Sequence, residues 1–196
     1  MKTKPIPQAL AFVLALAVLC PGAHAAPLSL QAASITATYN GAASGMLGLD
    51  HDFAAENGSN TATVHPAGDG AEFFTSDFLF GIDFDASGLV TVIANYAVSP
   101  GDYRMRFDFG ASLASPITAF TWAGSSGASG APGLSIVDAH TVAFDFNAVD
   151  WSEFGSLSAQ LGTTAAAAVS EPDGMAIMLT GVAGLALARR ARKPRP

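Results

Sequence analysis

From about residue 26 to residue 161, apolar and polar side chains alternate in short runs, the period of strands with one buried face. Ser34–Tyr39 alternates throughout, and Phe78, Phe80, Ile82 and Phe84 fall on one face of Phe78–Phe84. Leu89–Tyr96 reads as a mostly apolar strand. Arg104–Phe109 sets Met105, Phe107 and Phe109 against the two arginines and Asp108, and Thr141–Phe146 turns Val142, Phe144 and Phe146 inward. Turn residues punctuate these runs at Asn57-Gly58, Asp69-Gly70, Ser87-Gly88, Pro100-Gly101-Asp102 and a Gly/Ser-rich loop over Gly124–Gly133. Asp69-Gly70 and Ser87-Gly88 suit tight hairpins, because glycine takes positive φ without steric cost. The pattern predicts roughly eight to ten strands and no long helix between residues 26 and 161, an all-β domain. The best-fitting architecture is a single antiparallel β-sandwich, jelly-roll-like in kind.

The two ends break the alternation. Lys2 and Lys4 precede an 11-residue apolar run, Ala9–Leu19, and Ala23-His24-Ala25 follows with small residues where signal peptidase reads them. Residues 1–25 are therefore expected to be a signal peptide, used by the Sec translocon and cut between Ala25 and Ala26. The apolar run is too short to span a bilayer core of roughly 30 Å, which favours removal over retention as an anchor. At the other end, Gly162–Ala168 (GTTAAAA) reads as a linker between the domain and Val169-Ser170-Glu171-Pro172. An apolar segment at 175–188 comes next, then a basic tail at 189–196 holding Arg189, Arg190, Arg192, Lys193 and Arg195. As a transmembrane helix, 14 residues at about 1.5 Å each span roughly 21 Å, a marginal anchor that snorkelling arginines extend. Basic residues beside a short membrane segment stay in the cytoplasm. Everything before Met175 is then outside the inner membrane, the orientation that the signal peptide also dictates.

These 28 residues, 169–196, resemble the PEP-CTERM sorting signal of Gram-negative bacteria: a Pro-Glu-Pro motif, a hydrophobic segment and an arginine-rich end. Glu171, Pro172, the apolar stretch and Arg189, Arg190 and Arg192 carry the likeness. Ser170 departs from it, standing where the family has proline, so that Pro172 alone holds the motif extended. The resemblance implies that an exosortase, an integral-membrane cysteine protease-transpeptidase, cuts near the motif and passes the protein to the cell exterior. It also implies a host that makes extracellular polysaccharide. The expectation is an exported, non-enzymatic cell-surface or extracellular-matrix protein with exopolysaccharide as a contact. Such a protein is held briefly in the inner membrane and ends at the cell surface, the outer membrane or outside. Two other readings stay open: a secreted glycan-active hydrolase on a jelly-roll scaffold, and a periplasmic protein anchored permanently.

Charge sharpens the picture. The whole-chain net charge of −7 hides a division: seven of the nine Lys and Arg residues lie in the two end segments. Between Ala26 and Val169 only Arg104 and Arg106 oppose fourteen acidic residues, a net charge of −12. Such a body is a poor partner for nucleic acid or anionic lipid, since binding phosphates requires Lys and Arg. The one cysteine, Cys20, falls in the signal peptide, so disulfides cannot staple the exported domain and apolar burial must hold it.

Chemistry-bearing residues are few. Asp83, Asp85 and Ser87 precede Gly88 at the alternating oxygen positions of a calcium loop, but the twelfth position, which needs a bidentate acid, is Ala94. No other cofactor is implied. Asp50, His51, Asp52 and Glu56 cluster acids around an imidazole without any His spacing typical of zinc. Ser125, Ser126 and Ser129 sit among glycines that miss the Gly-x-Ser-x-Gly nucleophile pattern by one position. Acid pairs such as Asp145 with Asp150 or Glu153 are expected by coincidence among so many carboxylates, and no catalytic residue is assigned. Trp122 and Trp151, with Tyr96 and Tyr103, are candidates for stacking on sugar rings.

Overall fold

The structure, a computed structural model, describes residues 25–49, 59–65 and 70–164. Ala23, most of the signal peptide, the Asp50–Glu56 cluster, residues 165–168 of the linker and the whole sorting segment 169–196 lie outside the described residues. The described chain is all-β. Its strands are β1 (Ala25–Pro27), β2 (Ser34–Tyr39), β3 (Met46–Gly48), β4 (Thr61–Thr63), β5 (Phe73–Thr75), β6 (Phe80–Phe84), β7 (Leu89–Ala94), β8 (Arg104–Asp108), β9 (Ala119–Ser129), β10 (Gly133–Asp138), β11 (Thr141–Asp145) and β12 (Asp150–Thr164). Two three-residue 3-10 turns, Ala43–Gly45 and Gly110–Ser112, are the helical content among these residues, and no helix there is long and apolar enough to cross a membrane.

The strands form two antiparallel sheets. Sheet A runs β3-β5-β6-β7-β12, and sheet B runs β10-β11-β8-β2-β4. The 15-residue β12 organises sheet A. Ser156–Gln160 pairs with β7 on one edge and with β9 on the other, and Gly162–Thr164 pairs with β1 on the β7 edge. Small side chains make the close pairing at the end of β12 feasible: a Cβ at Gly162 would already press on Ala119 and Ala26 at 3.2 Å. The linker expected at 162–168 thus yields its first three residues to the sheet, and the domain runs past residue 161.

The alternation is satisfied inside. Ile35, Ala37 and Tyr39, Met105 and Phe107, and Val142 and Phe144 line the inner face of sheet B; Phe80, Ile82 and Phe84, Val90, Val92 and Ala94, and Leu157, Ala159 and Leu161 line that of sheet A. Rings from the two sheets meet in edge-to-face and stacked pairs, Phe84 with Phe107 at 5.0 Å, Phe120 with Phe144 at 4.9 Å and Phe80 with Phe146 at 6.1 Å. These pairs add to the large area that each ring removes from water. With no cysteine among the described residues, burial of this aromatic and aliphatic core holds the domain together.

Two sequence expectations change here. The Gly/Ser-rich segment 124–133 is not one loop: Gly124–Ser129 continues β9, Gly133 begins β10, and only Gly130–Pro132 turns between them. Small residues favour turns, but at the edge of a sheet backbone pairing alone suffices to hold them extended. Phe78 is not the first inward residue of β6. It sits in the β5–β6 turn at φ +57°, more than half exposed, and the strand begins two residues later.

Candidate functional site

The β6–β7 hairpin contains Asp83, Asp85 and Ser87. The Asp85 carboxylate folds back on its own turn, accepting the Ser87 N–H at 2.6 Å, while its carbonyl accepts the Gly88 N–H at 2.9 Å. Hydrogen bonds from the Ser87 side chain and then its N–H hold the Asp85 carboxyl below its ordinary pKa. Gly88, at φ +85°, carries the positive φ of the turn, and a Cβ there would collide with the Leu28 carbonyl. Asp83 lies on the outer face of β6, where burial and then the Asp85 charge push its carboxyl up; its buried Oδ1 has no hydrogen-bond partner. Asp85 and Ser87 therefore close the hairpin turn while Asp83 stands outside it, and among the described residues no three His, Cys, Asp or Glu side chains gather in a metal-binding group.

Beside Asp83, the register of β5 against β6 brings in a residue that alternation did not single out. Glu72 is buried, and its carboxylate accepts the Phe84 N–H at 2.7 Å and the His65 N–H at 3.5 Å. His65 follows β4 of sheet B and Phe84 belongs to β6 of sheet A, so one side chain ties the two sheets. Burial pushes the Glu72 pKa up to about 7, opposed by the Phe84 hydrogen bond and assisted by the Asp83 charge. A lone glutamate in a polar-looking stretch gives no sequence signal of such burial.

The two tryptophans part company. Trp151 is 2% exposed, with its ring edge-to-face against Phe80 at 5.4 Å and Phe146 at 5.3 Å. It is a core residue with no face to offer a sugar. The reason is register: Trp151 exchanges backbone hydrogen bonds with Val98, which fixes its side chain inward between the sheets. Trp122, opposite Ala159 on edge strand β9, is 48% exposed and keeps a free face. Tyr103 packs against Phe80 at 5.6 Å, whereas Tyr96 stands 57% exposed beyond the end of β7.

The remaining polar groups are engaged in structure. Arg104 bridges Asp102 at 3.2 Å and Asp145 at 3.4 Å, and Asp145 also accepts the Asn147 N–H at 3.0 Å. Asp150 starts β12 in sheet A while Asp145 ends β11 in sheet B, and Glu153 lies in an irregular part of β12. Ser125, Ser126 and Ser129 lie along β9, and the chain then turns into another strand rather than the helix that a nucleophile elbow requires. A hollow of about 280 Å³ lies between Gly127–Ser129 and Asp150–Ser152, lined largely by small residues.

One end of sheet A gathers exposed aromatic side chains, of which the sequence marked Tyr96 alone as a candidate for stacking on sugar. Between the pairs Ser156–Ile93 and Trp151–Val98 the two chains separate, and Phe154 and Tyr96 lie in that separated stretch. Phe154 is 70% exposed at φ +57°, and Phe78, on the neighbouring β5–β6 turn, is 55% exposed at the same φ. Signal peptidase's expected residues Ala25 and Ala26 are at the opposite end, in β1, paired with Thr164 and Thr163. Comparison of the chain with protein-family models, curated proteins and solved structures gives no match.

Proposed function

We propose that this chain is an exported, non-enzymatic protein of the bacterial surface or extracellular matrix. Its two sheets pack face to face as a jelly-roll-like sandwich that is the delivered cargo. Residues 1–25 direct passage through the Sec translocon. Residues 169–196 pause the protein in the inner membrane, C-terminus inside, until an exosortase-like transpeptidase cuts near Glu171-Pro172. The delivered domain then contacts exopolysaccharide. The observation that carries this reading is the order of the tail: Ser-Glu-Pro, an apolar segment, and an arginine cluster after a body with only two arginines.

The pairing of Ala25 with Thr164 is consistent with it, because both end segments leave the domain from the same end of one sheet. A domain so joined can fold while both ends remain at one membrane surface. Intact-mass measurement on protein isolated from the surface fraction of its native host tests the proposal. The expected mass lacks residues 1–25 and the apolar and basic parts of the tail. A surface-fraction mass that retains Arg195 overturns sorting and leaves a permanently anchored protein.

A further inference from the structure

Sheet A has two unlike ends. At one, β1 meets the close of β12 and both end segments depart. The other lies past Ser156, eight residues back along β12 and about 27 Å away at roughly 3.4 Å per residue. There Phe78, Tyr96 and Phe154 stand in water on three adjacent parts of the sheet. Isolated exposed apolar residues need no explanation, but two of these share an unusual backbone. Bulky residues rarely adopt positive φ, and such strain persists only where surrounding structure imposes it, often at ligand-binding sites.

The Phe78 turn is firmly imposed. The Phe78 N–H donates to the Thr75 carbonyl at 2.8 Å, and the Leu79 N–H donates to Asp77 Oδ1 at 3.1 Å. Asn95 then clamps it, its Nδ2 donating to the Phe78 carbonyl at 2.7 Å and its N–H to the Leu79 carbonyl at 2.8 Å. The ring of Phe74 lies 6.3 Å from that of Phe78 and extends the apolar surface onto the outer face of the sheet. The Phe78 turn is thus held in place, with exposed Asp77 next to it in the chain and exposed Glu153 next to Phe154.

We propose that Phe78, Tyr96 and Phe154 form a binding platform for a neutral polysaccharide. Pyranose faces stack on the rings, and sugar hydroxyls donate to Asp77 and Glu153. This deepens, and rests on, the reading of the chain as a matrix-contacting protein. Charge selects the occupant. An anionic polymer, or a second copy of a body with net charge −12, is repelled by the acidic rim. The two arginines of the body are on sheet B, paired with Asp102, Asp145 and Asp138, and supply no anion site here. An anionic lipid surface is repelled by the same acidic rim.

Affinity electrophoresis of the detergent-solubilised full-length protein through gels containing dextran, β-1,3-glucan or mannan, with alginate as the anionic comparison, tests the platform. At least one neutral glycan should retard the wild type more than alginate does. The double variant Phe78→Asn/Phe154→Asn, whose asparagines accept positive φ, should melt no lower than the wild type and bind about ten-fold more weakly or worse. Trp122→Ala, away from this end, should bind as the wild type does. A neutral glycan held equally by the double variant overturns the platform and leaves the matrix-contact reading standing. No retardation of the wild type by any neutral glycan overturns both, while the export reading keeps its own mass test. A monomer–dimer equilibrium abolished by the double variant, in place of glycan binding, assigns the rings to self-association and overturns the proposal.

Discussion

Trp151 meets Phe80 edge-to-face at 5.4 Å, and through that contact the longest strand of sheet A is keyed into the aromatic core. Trp151→Ala should therefore cost about 3–5 kcal/mol, the range for removing a large buried ring, whereas Trp122→Ala should stay within about 1 kcal/mol. Urea denaturation of each variant measures the difference. Acrylamide should quench Trp122 emission readily and leave Trp151 protected; equal quenching of both indoles would contradict the assigned register.

Phe154 and Phe78 offer the reverse experiment. A residue in the left-handed region loses little by becoming asparagine, and an exposed ring contributes little burial, so each single Asn variant should gain roughly 0.5–1 kcal/mol. Rising melting temperature is the expected readout. A loss of more than about 1 kcal/mol would mean that the rings are buried in the folded protein after all.

Glu72 makes stability depend on pH with a defined sign. Its folded pKa of about 7 lies above its ordinary value of 4.5, so between those limits the folded state holds more protons than the unfolded. The stability supplied by this group is fully present below pH 4.5, declines as pH rises through 7 and is gone above it. Asp85 and Asp138 act oppositely at the acid end, since their folded pKa values are lowered. Glu72→Gln keeps an acceptor for the Phe84 N–H and removes the titration. Chemical denaturation from pH 4.5 to 8.5 should show a flatter profile for the variant, which overtakes the wild type at high pH by roughly 2 kcal/mol.

A body beginning at Leu28 instead of Ala26 loses only the β1 pairing with Thr163 and Gly162. At about 1 kcal/mol per net hydrogen bond, its stability should fall by roughly 1–2 kcal/mol without change in fold. Matched urea midpoints of the two forms would show that β1 is ornamental.

The alternation of large side chains made much of this fold legible. Ser34–Tyr39, Leu89–Ala94, Arg104–Asp108 and Thr141–Asp145 are strands where period-2 burial placed them, and Ser87-Gly88 closes the expected hairpin. What escaped was written in small residues. Ser, Gly and Ala in β9 and in the second half of β12 carry no strong face, and their pairing is decided by distant strands. The candidate sites were harder still. Burial of Trp151, exposure of Trp122 and the left-handed backbone of Phe78 and Phe154 all depend on which strand each residue meets, and single-residue chemistry contains none of that.

Because β12 is bonded on both edges and enters the linker directly, it also defines a mechanical axis. Traction between Phe154 near its beginning and the tail beyond its end runs lengthwise through one strand, loading the flanking hydrogen bonds in shear and together instead of peeling them in succession. A strand bonded in this way resists a pull along its length far better than one across it.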